Sequence, residues 1–215
     1  MDVLGLIKDN PQLFCRETYH EIKPKRYIYR QGDPAEYIYF ITKGVVRIVR
    51  VNYDGEEEVL TYEMAPNIVG IQNVFKASES EKAQISIISE TVCEYHKILY
   101  SRVKQNGILE AMLITLGEQA RRYRNIAAFL LENKSANAFC ELLLHFSEVK
   151  SGQLVIQKWF KFMDLANYLK INISTISRIM KKLKEDKVIE VEKGQILILN
   201  EELLRKYASG MKVDY

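Results

Sequence analysis

The chain has 215 residues, 47% of them hydrophobic, which is material for one large or two small cores. No run of 18 apolar residues occurs, so no transmembrane helix is expected, and Met1 to Lys8 lacks the cationic start and cleavage site of a signal peptide. The net charge of +3 divides unevenly: residues 151–215 hold 12 Lys/Arg against 8 Asp/Glu, while residues 1–150 hold 19 against 20, so any polyanion is expected to meet the last third.

In chain order, residues 2–10 suggest a short helix stopped before Pro11. From about Tyr19 the pattern becomes short strand-like runs: Tyr27–Tyr29, Tyr37–Ile41, Val45–Val51, Glu58–Tyr62, Ile85–Ile88 and Val92–Tyr95. Gly32-Asp33-Pro34, Lys43-Gly44 and Asp54-Gly55 punctuate them, and Asp54-Gly55 is a strong hairpin signal. Strands at this spacing predict a small β-barrel or jelly roll over residues 1–99.

Tyr100 to about Asn133 has no proline and reads as one helix of about 50 Å, the core of a 100–134 segment. Leu109, Leu113, Leu116, Ala120, Tyr123, Ala127 and Leu130 recur at steps of four and three, a seam for pairing two copies in a homodimer. The alternative is a helix buried on its own barrel, since Gly117 and Arg121-Arg122 interrupt or flank the seam. Ser135 can cap a following helix from Ala136 to about Phe146, and Ser151-Gly152 then leads into the last part of the 135–215 segment.

Asp164 to Leu183 reads as two short helices around a tight turn. Leu165 and Leu169 share one face, Asn172 can cap the second helix, and Ile176, Ile179 and Leu183 form its apolar stripe. Ser174, Ser177, Arg178, Lys181 and Lys182 fall on the opposite face, as a helix-turn-helix requires of a base-reading helix. An ordinary amphipathic helix with a solvated lysine face is the alternative. Two strand-like runs, Val188–Glu192 and Gln195–Leu199, follow around Lys193-Gly194, so the whole predicts a winged helix. The expected class is α+β.

Thr175-Ile176-Ser177-Arg178, the helix ending at Leu183 and the wing resemble the DNA-binding end of the CRP/FNR superfamily of bacterial transcription regulators. Val188-Ile189 after Lys181–Lys187 is most similar to the branch containing the listerial virulence regulator. Lys170 stands where the family's turn usually has Gly, so a less regular turn is expected. Gln31–Ile41, closing on Gly44, resembles the start of a cyclic-nucleotide-binding-type barrel, and the resemblance covers Ile22 to Leu199.

The planar fork of Arg178 suits guanine O6 and N7, a contact worth about 1–3 kcal/mol of discrimination, and the resemblance implies a base or phosphate contact for it. It implies further base contacts at Ser174, where many relatives carry a carboxylate, and at Ser177. Asn172, Thr175, Lys181 and Lys182 are expected on phosphates, with Lys193 and Gln195 of the wing in the same role.

A cyclic-nucleotide site in this family needs a Glu after Gly and an Arg before Ser or Thr and Ala. Gly70-Ile71-Gln72 and Glu81-Lys82-Ala83-Gln84 lack both, so control by cAMP is not expected. The listerial-type branch uses glutathione, which implies effector positions at Thr61, Tyr62, Glu63 and Met64 facing Arg122 and Tyr123; that branch has Tyr and Lys where this chain has Glu63 and Met64. The alternative makes Tyr62 core and Glu63 surface.

Cys15, Cys93 and Cys140 are too scattered for an iron–sulfur cluster and fit a reducing cytoplasm. His20, His96 and His145 stand alone, which argues against haem, and no metal site is expected. Redox sensing would need an exposed cysteine of lowered pKa. No nucleophile elbow, phosphate loop or HExxH motif suggests an enzyme. The expected protein is a dimeric regulator binding a pseudo-palindromic operator on double-stranded DNA, with RNA polymerase as the partner the resemblance implies. The rival expectations are a ligand-binding or redox-sensing module of the same fold with weak or no DNA binding, and an enzyme's regulatory subunit.

Overall fold

The computed structural model describes residues 3–74, 82–105, 108–159 and 161–215. The chain forms two compact units, Met1–Gln119 and Ala120–Tyr215. In the first, α1 (Val3–Asp9) precedes strands β1 (Tyr19–Ile22), β2 (Tyr27–Tyr29), β3 (Tyr37–Lys43), β4 (Val45–Val51), β5 (Glu57–Met64) and β6 (Asn67–Val69). A short helix α2 (Ile71–Val74) and strands β7 (Ser86–Ser89) and β8 (Cys93–Leu99) follow, then helix α3 (Tyr100–Gln105) and the start of α4 (Leu109–Leu131), whose residues from Ala120 onward belong to the second unit.

The strands make two antiparallel four-stranded sheets, in the orders β1-β8-β3-β6 and β2-β7-β4-β5. Alternation along β3 shows how they pack. Tyr39 and Ile41 join Tyr29, Val46, Ile87, Cys93 and Tyr95 in the core between the sheets. Ile38 and Phe40 point the other way, into a second core with Val3, Ile71, Val74, Val103, Ile108 and Met112 from the helices. A strand buried on both faces explains why Tyr37–Ile41 is a nearly unbroken apolar run. Gly44 is required between β3 and β4: its φ is 93°, and a Cβ there would stand 2.3 Å from the Val92 carbonyl oxygen. In the β4–β5 hairpin, Asn52 Oδ1 accepts from the N–H groups of Asp54 and Glu56.

The single helix expected from Tyr100 to Asn133 is replaced by α3 and α4, and α4 alone spans about 35 Å. Asn106 and Gly107, between them, lie outside the described residues. The seam also divides. Leu109 and Leu116 pack on the second core, whereas Leu113, Ala120 and Ala127 are exposed, and Tyr123 and Leu130 are half-buried.

The second unit adds α5 (Ser135–His145), β9 (Glu148–Lys150), β10 (Gln153–Ile156), α6 (Phe162–Leu169), α7 (Ile173–Glu185), β11 (Ile189–Glu192), β12 (Gln195–Ile198) and α8 (Glu201–Ala208). Ser135 is the first helical residue of α5, not its cap; Lys134 holds that position with no side-chain bond. Ser151-Gly152 is no linker. It is the two-residue turn between β9 and β10, with φ of 52° and 80° as a type I′ turn requires. The wing hairpin β11–β12 joins these strands in one sheet, in the order β11-β12-β10-β9. Phe139, Leu142 and Leu143 of α5 and Phe146 at its C-cap are buried, as are Leu165, Leu169, Ile176, Ile179, Leu183 and Leu204. Each fully buried side chain of this size contributes about 1.5–3 kcal/mol.

Candidate nucleic-acid interface

Helix α6 ends in a regular left-handed turn, contrary to the expectation from the missing glycine. Lys170 itself takes φ 52° and ψ 38°, and Ile171 N–H reaches back to the Ala166 carbonyl at 3.0 Å. Asn172 then caps α7, its Oδ1 accepting from Ser174 N–H at 3.1 Å. Ile176, Ile179, Met180 and Leu183 are buried, and this anchors the helix so that Ser174, Ser177, Arg178 and Lys181 face outward.

The outward groups differ in how committed they are. Arg178 Nη2 donates to Thr175 Oγ1 at 3.3 Å, a bond that leaves most of the guanidinium's five donors available. Ser177 Oγ donates to the Ile173 carbonyl at 3.1 Å, and Ser174 Oγ donates to Asn172 Oδ1 at 3.1 Å, so both hydroxyls keep acceptor capacity. Lys181 lies 3.8 Å from Glu185 on the exposed side. Lys182 is half-buried and donates to Asp186 Oδ1 at 2.7 Å, and Tyr207 Oη donates to the other oxygen at 2.8 Å. The lysine first, then the tyrosine, holds the Asp186 carboxyl below its usual range, while burial and this bond push Tyr207 up to about 12. Asp186, at the C-cap of α7, therefore ties that helix to α8 through Tyr207, which spacing alone could not foretell.

In the wing, Lys193 is exposed at the turn with φ 47°, followed by Gly194 at φ 81°. Gln195 is half-buried, and its Nε2 donates to Gln157 Oε1 at 2.7 Å. Lys184 and Lys187 are also exposed, off the base-facing stripe, so the helical pattern does not single them out as contacts.

The positions implied for an effector sit in separate units. Thr61, Tyr62 and Glu63 are buried in β5 and Met64 is half-buried. Glu63 is fully buried, not a surface group, and Asn67 Nδ2 donates to its Oε2 at 2.9 Å. Thr61 Oγ1 donates to the Tyr62 carbonyl at 3.2 Å. In the second unit, Arg122 Nη1 lies 3.3 Å from His145 Nδ1, and the guanidinium lies 5.4 Å from the Tyr123 ring centroid. Gln72 Nε2 donates to Gln119 Oε1 at 3.0 Å. Glu81 lies outside the described residues. Burial pushes the thiols of Cys93 and Cys140 up, which opposes thiolate chemistry there; Cys15 is half-buried. No helix among the described residues is long and apolar enough to cross a membrane, and no group of three or more His, Cys, Asp or Glu among them could hold a metal ion.

A two-sheet sensor-type domain, a long helix and a winged helix-turn-helix define a class of two-domain DNA-binding regulator. The cyclic nucleotide-binding domain model matches residues 19–105 and the Crp-like helix-turn-helix domain model matches residues 126–207. The nitrogen fixation regulation protein FixK of Rhizobium meliloti is 27% identical, covering 85% of this chain and 83% of its own length. Electron transport regulator A of Shewanella oneidensis is 24% identical over 92% of this chain and 81% of its own. Among solved structures, FixK2 from Bradyrhizobium japonicum shares the fold at a TM-score of 0.71 and 17% identity, covering 91% of this chain and 98% of that one. A CRP-family transcriptional regulator from Thermus thermophilus superposes at 0.67 with 17% identity and the same coverage. The two matched domains together make the chain a transcription regulator of the CRP/FNR type.

Proposed function

We propose that α7 enters the major groove and reads sequence through Arg178, with Ser174 and Ser177 as flanking base contacts. Asn172, Thr175, Lys181, Lys182 and Lys193 set the register on phosphates, Lys182 less than the others because Asp186 already holds it. The observation that carries this reading is the exposed row Ser174, Ser177, Arg178 and Lys181 on a helix whose other side is core.

The regulator works as a homodimer on a pseudo-palindrome with half-sites about 34 Å apart. Supporting this, α4 carries an exposed stripe of Leu113, Gly117, Ala120, Arg124, Ala127 and Leu131, with Leu113 at 60% and Leu131 at 85% exposure. Large exposed apolar groups beside small ones suit close helix pairing. The protein acts without catalysis, in the cytoplasm beside the chromosome, and its bound form is read by RNA polymerase.

Its control does not run through cAMP, because Gln72 stands in place of the carboxylate. In keeping with the resemblance to the listerial-type branch, the effector is a small glutathione-like peptide. Calorimetric titration with reduced glutathione tests this: no heat and unchanged DNA affinity would remove it.

The DNA reading is tested by binding of a duplex selected from a random-sequence pool, compared with a scrambled duplex. Arg178→Ala lowers the ratio of the two affinities by the equivalent of about 1–3 kcal/mol. Lys181→Ala weakens both alike and flattens the salt dependence. An unchanged ratio for Arg178→Ala would show that another group reads the bases.

A further inference from the structure

Residues 209–215, after α8, return along α7. Asn137 of α5 anchors them, donating through Nδ2 to the carbonyls of Tyr207 at 2.6 Å and Met211 at 2.7 Å, from a buried position. Gly210, at φ 110°, turns the chain, and Val213 is buried. Past this anchor, the Tyr215 ring centroid lies 5.8 Å from Arg178 Cζ. Asp214, bridged to Lys212 at 2.6 Å, adds a negative charge that acts on Lys182.

These contacts bear on the guanidinium in a particular way. An aromatic ring attracts a cation through its face and uses none of the cation's N–H donors. Thr175 takes one donor of Arg178, and the rest of the fork stays available to a base edge. A long arginine free in solvent samples many rotamers, all but one of which must be given up on binding. A ring on one side and a hydroxyl on another narrow that choice before DNA arrives. Asp214 meanwhile offsets the cation that would bind any phosphate, and so disfavours sequence-independent contact.

We propose that Tyr215 is a positioning residue for Arg178, and that the segment Met211–Tyr215 raises sequence discrimination by orienting that side chain. The inference rests on Arg178 being the base reader. Its partner is the same double-stranded DNA, and the segment adds selectivity rather than a new ligand.

The full chain and four variants test it: Tyr215→Ala, Tyr215→Leu, Tyr215→Phe and Arg178→Ala, with Tyr215→Ala also placed in the Arg178→Ala background. Each is assayed on a duplex selected by the wild-type protein and on a scrambled one. Tyr215→Ala and Tyr215→Leu lower the selected-to-scrambled ratio about two- to fivefold, the range for an exposed cation–aromatic contact. Tyr215→Phe keeps the ring face and the wild-type ratio. In the Arg178→Ala background, Tyr215→Ala changes nothing further. An unchanged ratio, equal weakening on both duplexes, or failure of Tyr215→Phe to restore discrimination overturns the inference while Arg178→Ala still shows its effect. If Arg178→Ala leaves the ratio alone, or the pool yields no preferred duplex, the reading of α7 falls first and the inference falls with it.

Discussion

Lys170 offers a substitution whose effect can be worked from the backbone. It closes α6 at φ 52° and ψ 38°, a conformation that crowds Cβ against the following carbonyl and costs a non-glycine residue about 1–2 kcal/mol. Glycine removes that cost but gives the unfolded chain more freedom to lose, about 0.5–1 kcal/mol. Its side chain is exposed, so little packing is lost. Lys170→Gly should therefore stabilise the second unit by about 0.5–1 kcal/mol, or a few degrees in Tm for a domain of this size. Lys170→Ala keeps Cβ and should leave stability nearly unchanged. Denaturant melts followed by fluorescence read this selectively. Trp159 is the chain's single tryptophan, lies in the second unit and meets Phe146 edge-on at 5.5 Å. A lower midpoint for Lys170→Gly would refute the strain argument and assign the lysine side chain a stabilising role.

Three further outcomes are expected. Leu113→Glu, at an exposed site where the fold itself should change by no more than about 0.5 kcal/mol, converts dimer to monomer in sedimentation equilibrium and abolishes operator binding; an intact dimer would move the interface elsewhere. Tyr207→Phe removes the bond to Asp186 and costs about 1 kcal/mol in the same Trp159 melts, whereas an unchanged midpoint would show that water replaces it fully. The Asp186 carboxyl is held below its ordinary value in the folded chain, so its contribution is full above the unfolded carboxylate pKa, near 4, and disappears as pH falls through the depressed one. Asp186→Asn should accordingly lower stability at neutral pH, with the gap to wild type closing in acid; a gap constant with pH would exclude the charge as its cause.

The elements legible in the sequence were those whose punctuation and periodicity agree. Val45–Val51 was legible at both ends because Lys43-Gly44 and Asp54-Gly55 bracket it. The helix pair around Asn172 was legible because a cap, an apolar stripe and a polar face coincide on α7. Strand β6 and helix α2, at three and four residues, are too short to show a period. Strands β9 and β10 were hidden because Ser151-Gly152 looks like a linker until a sheet partner, β12, is known. The helix seam was half legible: spacing identifies positions that share a face, but cannot say that Leu109 and Leu116 are claimed by the chain's own core. Within the candidate interface, the cap and the exposed arginine follow from local pattern. The Asp186–Tyr207 bond and the approach of Tyr215 to Arg178 join residues distant in sequence, and no local rule reaches them.

The central claim is that Arg178 reads a guanine edge in each half of a two-fold site. Replacing one guanine per half-site by 7-deazaguanine deletes the N7 acceptor and leaves the base pair intact. Wild-type affinity should fall by the equivalent of about 1–3 kcal/mol for at least one guanine position, and Arg178→Ala should be indifferent to the same replacement. Equal sensitivity in both proteins, at every guanine tried, would contradict the account.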